Sequence, residues 1–436
     1  MSTISEILSN SFKVKSEEIM LRQGKKILVI NSQSVYKNNA TGITLRSILS
    51  TFEPEQILEL FRFESDNCVK ERMDFTSLQI PPASMPINYW IRRIMGNDNY
   101  RDHDSAEGSP YGADIKYSWK QVAKITAKTV AENSWIIPNK SFIKKVDEFA
   151  PDHIYTLSAS FYINKWVRYF ADRYRIPVVI HYMDNWRETA YTQDERTRWI
   201  NKIFERQVES LEGRMKCGLT ISESMRTAYT NKYHRKYMAA MNTVKVLPCI
   251  HRNSNKIVIV YAGGLHLKRN ETLKKVSDFI RDKAQYELHI YTNELDICEF
   301  SNDFIGENTF FHTAVPHGEI YDIYAQSDIL LHIESFDAKV IEYTKYSMST
   351  KIPEYMMSGR PIVCYAPHNI AAYQYVEQSN AGIGVENTAE LENALTLLAN
   401  PEKREYYGVN GHLVAVHNHS VDSLRRLVKE VFGDDK

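Results

Sequence analysis

Short apolar runs alternate with amphipathic stretches along the first half of the chain. Strand-length apolar runs occupy residues 26–31, 57–61, 153–157, 177–182, 217–221 and 243–247. Between several of them the apolar residues have helical spacing, at residues 43–51, 163–175 and 194–213. Buried strands that alternate with helices predict a parallel sheet with helices on both faces.

The same alternation begins again after Pro248. Strands are predicted at residues 256–262, 286–291, 328–334, 361–365 and 382–385, and helices at residues 270–283, 318–326, 353–358 and 389–400. We therefore expect two doubly wound, Rossmann-like α/β domains in series, over residues 1–250 and 251–415, joined near residues 248–255. Ligands of such sheets bind beyond the carboxyl ends of the strands, which places the expected functional site in the cleft between the domains.

The last helical pattern covers residues 421–432. Leu424, Val428 and Val431 follow helical spacing behind Ser420, a plausible helix cap. This apolar face must pack against another part of the molecule.

Composition narrows the class of protein. The 436 residues are 43% hydrophobic and 25% charged, as in ordinary globular proteins. The apolar runs are far shorter than the roughly 20 residues of a membrane span, and residues 1–23 lack the pattern of a secretory signal. Five widely spaced cysteines suit a reducing compartment and indicate neither disulfides nor a structural zinc site. A cytoplasmic location is expected.

The charge is balanced overall but not along the chain. Lys and Arg total 54, as do Asp and Glu; residues 1–250 hold 36 basic and 28 acidic residues, which leaves 18 and 26 for residues 251–436. An excess of eight positive charges over 250 residues is weak support for a nucleic acid partner. It fits an anionic small molecule or a lipid surface equally well.

A glycine pair follows the first strand of the second domain. Gly263 and Gly264 lie between that strand and a predicted helix, where backbone N–H groups can approach an anion at a positive helix end. A simple tight turn is the more common role of such a pair. A complete G-x-G-x-x-G motif is absent, which disfavours a nicotinamide-dependent enzyme.

Residues 347–361 form a more specific motif, SMSTKIPEYMMSGRP. Hydroxyl groups and an ammonium group open a helix there, so Ser349, Thr350 and Lys351 are expected to meet a diphosphate while Glu354 accepts both ribose hydroxyls. The alternative is a capped helix whose first-turn glutamate is favoured by the helix dipole.

Several segments, taken in order, resemble a known family. The Gly-Gly turn, the segment 313–316, the segment 319–324 and the motif at 347–361 look like the donor half of GT-B glycosyltransferases of the family 4 type. Residues 149–156 and 178–186 resemble the acceptor half of bacterial surface-polysaccharide members. The resemblance covers most of the chain, and it implies that the final helix, with residues 416–436, crosses back onto the amino-terminal domain.

The resemblance also implies an activity, that of a retaining hexosyltransferase. It would move a sugar from a nucleotide diphosphate donor, expected to be a UDP-sugar, to a hydroxyl of a glycan or lipid-linked glycan in surface polysaccharide synthesis, without a metal. The implied catalytic residues are Asp184 on the acceptor side, Lys351 and Arg269. The implied donor-binding residues are Gly42, Gly263, Gly264, Arg269, Ala314, Val315, Ser349, Thr350, Lys351 and Glu354, with the backbone of Ala314 and Val315 against the base.

Two positions depart from the family pattern. Tyr346 stands where the first of two paired glutamates is usual, which leaves the sugar-contacting acid unassigned; Glu334 and Glu342 have the same separation and are a substitute pair to consider. Leu265 stands where many relatives carry a phosphate-binding arginine. Either Lys268 or Arg269 compensates, or the site is weaker.

Two other functions stay open at this stage. A nucleotide-sugar epimerase can use the same architecture, with Asp184, His181 and Glu334 as acid–base candidates. A non-catalytic relative would agree with the missing glutamate.

Three further patterns have simpler explanations than the function that they suggest. Asp102 and Asp104 imitate a metal-binding pair, and His417 and His419 could be metal ligands, although a solvated loop is the simpler interpretation. Residues 87–95 combine basic and large apolar side chains, which suits an anchor on anionic lipid, an acceptor-site lid or local core.

Overall fold

The computed structural model describes residues 24–63, 68–69, 73–94, 117–245, 256–316 and 318–433. They form two parallel sheets, with helices on the faces of each. The predicted boundary near residue 250 lies in the segment 246–255, outside the described residues, and stays a prediction.

The amino-terminal sheet has seven parallel strands in the order β3-β2-β1-β4-β5-β6-β7. Ile27 to Ile30 of the central strand are completely buried, because helices cover both faces of the sheet. The strands are β1 (Ile27–Gln33), β2 (Ile57–Phe63), β3 (Thr76–Gln79), β4 (His153–Thr156), β5 (Val178–Tyr182), β6 (Gly218–Thr220) and β7 (Tyr237–Ala239).

Eight α-helices are described in the same half of the chain. Several begin at a polar residue whose side chain accepts a hydrogen bond from a first-turn N–H, as Asn39, Ser118, Ser160 and Ser222 do. The helices are α1 (Ala40–Leu49), α2 (Pro86–Ile94), α3 (Trp119–Glu132), α4 (Lys140–Phe149), α5 (Phe161–Tyr174), α6 (Trp186–Thr189), α7 (Arg198–Glu212) and α8 (Glu223–Tyr233).

The carboxy-terminal sheet has six parallel strands in the order β10-β9-β8-β11-β12-β13. The strands are β8 (Ile257–Ala262), β9 (Tyr286–Thr292), β10 (Thr309–Thr313), β11 (Ile329–Ile333), β12 (Ile362–Tyr365) and β13 (Gly382–Val385). The described helices are α9 (Arg269–Ile280), α10 (Glu294–Phe300), α11 (Ile320–Gln326), α12 (Ala338–Thr344), α13 (Lys351–Met357), α14 (Ala371–Gln378), α15 (Thr388–Leu398) and α16 (Pro401–Asn418). The strand order reverses between β8 and β11, the position at which doubly wound sheets bind ligands.

The final helix, α17 (Val421–Phe432), returns to the amino-terminal domain. Phe432 is completely buried and meets the ring of Phe52 edge-on at 5.4 Å and that of Tyr155 at 6.1 Å between centroids. The predicted architecture of two Rossmann-like domains and a crossing helix is therefore confirmed.

Some predicted elements are wrong in detail. The strand predicted at 243–247 is not formed at residues 243–245, where Val244 N donates to His419 O at 3.0 Å; β7 is the last strand of the sheet instead. The strands β3 and β10 were not predicted, because both are short and lack a continuous buried run. Helix α13 begins at Lys351, two residues before its predicted start.

His417 and His419 do not form the solvated loop that the sequence suggested. His417 belongs to the last turn of α16, and His419 is buried between α16 and α17, with Nε2 2.7 Å from Tyr375 Oη. Burial lowers the pKa of His419 to about 4 from the ordinary 6.5. The imidazole is therefore neutral and structural in the folded chain.

This histidine predicts a loss of stability in mild acid. The unfolded chain binds more protons than the folded one between pH 6.5 and 4, so stability falls as the pH is lowered through that window. Between pH 7.5 and pH 5 we expect a loss of about 2 kcal/mol from this group. Urea unfolding at both pH values checks it against His419→Gln, whose loss should be smaller by that amount; equal losses would contradict the assignment.

Within the described ranges no helix has both the length and the apolar character needed to cross a bilayer.

Candidate active site

The turn after β8 lies at the reversal point of the carboxy-terminal sheet. Gly263 N donates to Tyr291 O at 2.9 Å and Leu265 N donates to Asp296 Oδ2 at 2.7 Å. Among the described residues no backbone acceptor is seen for the N–H of Gly264, so this donor of the turn is available to a ligand. Leu265 is completely buried, so its side chain packs in the core and does not line the surface of the turn.

The connection from this turn to α9 is strained. Leu267 and Lys268 both have left-handed backbone conformations, with φ of 59° and 58°, which L-residues seldom adopt. His266 lies over Gly264, where a Cβ would come within 2.6 Å of Nδ1. Burial, together with the charges of Arg269 and Lys351, lowers the pKa of His266 to about 4, so a neutral imidazole borders the turn.

Lys351 reaches this turn from α13. A Cβ built on Gly263 would lie 3.4 Å from Lys351 Nζ, so the ammonium group and the glycine backbone are close neighbours. Burial lowers the pKa of Lys351, as does the nearby charge of Arg269, while Glu354 and Glu334 raise it. The two features that the sequence placed at a diphosphate thus lie together.

Arg269, the first residue of α9, is held by Glu334 at the end of β11. Nη2 lies 3.0 Å from Oε1 and 2.9 Å from Oε2, and Nε lies 3.1 Å from Oε2. Burial acts to raise the pKa of Glu334, but the charge of Arg269 and the contact with His332 at 3.2 Å bring it down to about 2. Glu334 is thus the partner of Arg269, and the carboxylate of Glu342 accepts a hydrogen bond from Lys345 Nζ at 2.8 Å; their role as a substitute pair stays a prediction.

Asp184 crosses the cleft from the end of β5. Its Oδ1 accepts a hydrogen bond from Ser347 Oγ of the other domain at 2.5 Å, and Tyr343 donates to it as well. Burial raises the pKa of Asp184 above its ordinary value. The charges of Arg269 and Glu334 also act on this carboxyl, which places it at the same cluster.

Three further residues of the amino-terminal domain donate hydrogen bonds to backbone carbonyls of the segment 342–350. Asn185 Nδ2 donates to Glu342 O at 3.1 Å, Ser222 Oγ to Tyr346 O at 2.7 Å, and Asn242 Nδ2 to Thr350 O at 3.2 Å. Sequence analysis missed these contacts. The sequence did carry a signal for them: each of these polar residues lies within three positions after β5, β6 or β7, at the strand ends that face the cleft.

The other donor-side residues surround α13. Glu354 is buried and accepts a hydrogen bond from Tyr324 Oη at 3.4 Å. Ser349 Oγ accepts from Lys351 N at 3.3 Å, and the buried Thr350 is the residue before the helix. Ala314 is exposed and Val315 half-buried on the loop that follows β10.

Gly42 lies where the sequence did not predict it. It belongs to the first turn of α1, not to the loop before a helix at 43–51. A Cβ there would lie 2.1 Å from Lys37 O and 2.9 Å from an Arg46 guanidinium nitrogen. Close backbone packing therefore requires this glycine whatever it binds.

Several alternatives from the sequence lack support. His181 is completely buried with Nδ1 2.8 Å from Tyr155 Oη, and burial lowers its pKa to about 3. Lys268 is paired with Asp337 at 2.6 Å. In the part of the chain that the structure describes, no three His, Cys, Asp or Glu side chains are placed to hold a metal ion. Residues 102–104 lie outside that part.

Gly263→Ala is expected to weaken nucleotide binding about tenfold, because crowding by one methyl group in a packed site costs about 1–3 kcal/mol. The new Cβ would lie 3.0 Å from Tyr261 Oη and 3.4 Å from Lys351 Nζ. Calorimetric titration with UDP measures the effect. Gly318→Ala is the matched control, since a Cβ there meets no atom within 4 Å; equal affinities in both variants would contradict the prediction.

Comparisons with known proteins bear on the fold of the chain. Residues 269–426 match the family model described as Glycosyl transferase-like. Among solved structures, HepE of Anabaena in complex with UDP and glucose has a TM-score of 0.60 at 14% identity, over 94% of this chain and 100% of that chain. A variant of TarM from S. aureus, in complex with fondaparinux, alpha-GlcNAc-glycerol and UDP, has a TM-score of 0.59 at 11% identity, over 94% and 100%. The lipopolysaccharide outer core galactosyltransferase WaaB, in its apo form, has a TM-score of 0.55 at 13% identity, over 93% and 98%.

No curated protein sequence matches the chain. The shared architecture shows that the chain has the GT-B fold, and residues 269–426, mostly in the carboxy-terminal domain, match the model of a glycosyl transferase-like family.

Proposed function

We propose that the protein transfers a sugar from a UDP-sugar to a hydroxyl of a glycan or lipid-linked glycan acceptor, with retention of configuration. The observation that carries the proposal is the position of Lys351 Nζ beside the Gly263 turn at the reversal point of the sheet, 3.4 Å from where a Cβ on Gly263 would lie. HepE, TarM and the galactosyltransferase WaaB have this fold, and the HepE and TarM structures contain UDP.

The chemistry follows from where charge develops. When the bond between sugar and diphosphate breaks, negative charge grows on the departing phosphate, and fixed cations and N–H donors stabilise it most in a site that excludes water. Lys351 and the Gly264 N–H are the groups in position to do this, and the helix start at Arg269 adds a second cation. Glu354 is the expected partner of the ribose, and the loop of Ala314 and Val315 that of the base.

The amino-terminal domain is proposed to supply the acceptor side through Asp184. Burial raises the pKa of this carboxyl, while hydrogen bonds donated by Ser347 and Tyr343 lower it and hold it at the cleft, where it can accept a hydrogen bond from a sugar or acceptor hydroxyl. We assign no metal to the reaction, and propose domains of residues 1–250 and 251–415 with the crossing segment 416–436. Gly42 keeps its proposed place facing the diphosphate from α1.

A nucleotide panel tests the proposal. A ligand that binds only the folded chain stabilises it by about 2.7 kcal/mol at a hundredfold excess over Kd, so UDP and UDP-sugars should raise the melting temperature more than GDP or ADP do. Donor consumption should then depend on added glycan acceptor. Conversion of the donor without acceptor would indicate an epimerase, and the absence of any nucleotide effect would overturn the proposal.

A further inference from the structure

The amino-terminal domain exposes large apolar side chains on two neighbouring helices. Trp119 at the start of α3 is 76% exposed, and Trp199 at the start of α7 is 44% exposed. Val130 of α3 and Ile203 of α7 lie further along and are also exposed. Trp135, just beyond the end of α3, is 63% exposed. A group of exposed large apolar side chains on neighbouring helices is a candidate interaction site.

Contacts at both ends bring these two helices together. At the starts of the helices, Arg196 lies 5.1 Å from the centre of the Trp119 ring and bonds Tyr117 O, while Trp199 Nε1 donates to Arg196 O at 3.0 Å. At the ends, Gln207 Nε2 of α7 donates to Asn133 Oδ1, one residue beyond α3, at 2.7 Å. The helices therefore run side by side in the same direction, and we call the residues Trp119, Val130, Trp135, Trp199 and Ile203 the tryptophan face.

The charges on these helices are mostly positive where they meet solvent. Two of the four acids, Glu132 and Glu212, are buried in ion pairs with Arg62 and Arg187, so they do not offset the bases at the surface. The other acids are Glu205 and Glu209. The bases on α3 and α7 are Lys120, Lys124, Lys128, Arg198, Lys202 and Arg206.

We propose that the tryptophan face binds the surface of an anionic membrane. Tryptophan rings prefer the boundary between headgroups and acyl chains, and flanking Lys and Arg side chains are attracted to anionic lipid. A protein partner would favour an interface core depleted of charge, whereas here the cations lie along the same two helices as the rings.

The proposal of membrane binding extends the proposed function. It rests on that function only in taking the acceptor to be lipid-linked. Asp184 and the first turn of α7 are joined through the short segment 185–197, so a membrane on the tryptophan face would lie near the acceptor side of the cleft. The predicted segment 87–95 is described as far as residue 94. Its helix, α2, packs beside α3 and exposes Trp90. Asn88 is buried and accepts a hydrogen bond from Arg62 at 3.2 Å.

Vesicle binding tests the proposal without any donor or acceptor. The full chain should co-sediment with phosphatidylcholine vesicles that contain phosphatidylglycerol more than with pure phosphatidylcholine, and added salt should weaken the binding. Trp119→Ala with Trp199→Ala should lower the partition coefficient by at least about tenfold. Arg198→Glu with Lys202→Glu should remove the preference for anionic vesicles, since two cations that attract anionic headgroups are replaced by acids that repel them.

Leu295→Ala is the matched control, because Leu295 is 80% exposed on α10 of the other domain. It should bind vesicles like the parent chain, and all variants should keep their melting temperature and UDP affinity. Failure of the parent chain to bind vesicles, binding of the tryptophan variant at the parent's level, or a dimer that this variant dissociates would each overturn the proposal. Lost vesicle binding with intact UDP binding would leave the proposed transfer standing.

Discussion

Lys351→Ala is expected to lower kcat/KM for sugar transfer by about a hundredfold to a thousandfold, the usual effect of removing one group that stabilises developing negative charge. The ammonium group lies beside the Gly263 backbone at the end of β8, and the described residues around it provide two other cations or donors, Arg269 and the Gly264 N–H. Arg269 cannot substitute for it, because three contacts hold that guanidinium on Glu334.

Initial rates and UDP titrations measure this effect. Lys351→Met separates charge from volume, since it keeps most of the side chain, and should lose nearly as much activity as the alanine variant. Lys274→Ala is the control: Lys274 is partly exposed on α9 of the same domain, and among the described residues its ammonium group pairs with Asp278 four residues on, at 3.0 Å. Unchanged turnover and UDP affinity in both Lys351 variants, with an intact fold, would mean that the site lies elsewhere.

Most of the carboxy-terminal sheet could be predicted because its strands are buried on both faces. Such strands are nearly continuous apolar runs, as at Ile329–Ile333 and Ile362–Tyr365. Edge strands lack this signal: Thr309–Thr313 contains only half-buried and exposed residues. The prediction of a strand at 243–247 was wrong because an apolar run does not always belong to a sheet. Val244 bonds the backbone of the crossing segment instead.

The site could be predicted only as far as it is local in sequence. The turn at Gly263 and the motif around Lys351 each carry their chemistry within a few residues, and their meeting follows from the strand order. The pairing of Arg269 with Glu334, 65 residues apart, has no local signal, and neither has the bond between Asp184 and Ser347 across the cleft. Both depend on how the domains and strand ends come together, which single-chain patterns do not encode.

Arg269→Met is expected to destabilise the protein by about 3–5 kcal/mol, because removing one partner of a buried ion pair leaves the other charge uncompensated. The side chains of Arg269 and Glu334 are 19% and 7% exposed. Arg173→Met is a matched control, since Arg173 also holds a carboxylate with two nitrogens, that of Asp147, but both side chains are about two-fifths exposed, at 41% and 40%. That substitution should cost at most about 1 kcal/mol.

The sign of the pH dependence distinguishes this ion pair from mere packing. In the parent chain the pKa of Glu334, about 2, lies below the ordinary 4.5, so its contribution to stability is complete above pH 4.5 and is lost as the pH falls towards 2. Without Arg269, burial is left as the largest influence and should raise this pKa above 4.5, so that protonation relieves the buried charge and stability increases as the pH falls. Relative to the parent chain, both Arg269→Met and Arg269→Met combined with Glu334→Gln should gain stability as the pH falls from 7 to 4 in urea unfolding, because neither keeps the low-pKa carboxylate; Arg269→Met should gain more, because only it still carries a carboxyl whose pKa is raised. Parallel slopes in the two variants would mean that the pKa of Glu334 is not raised when Arg269 is removed.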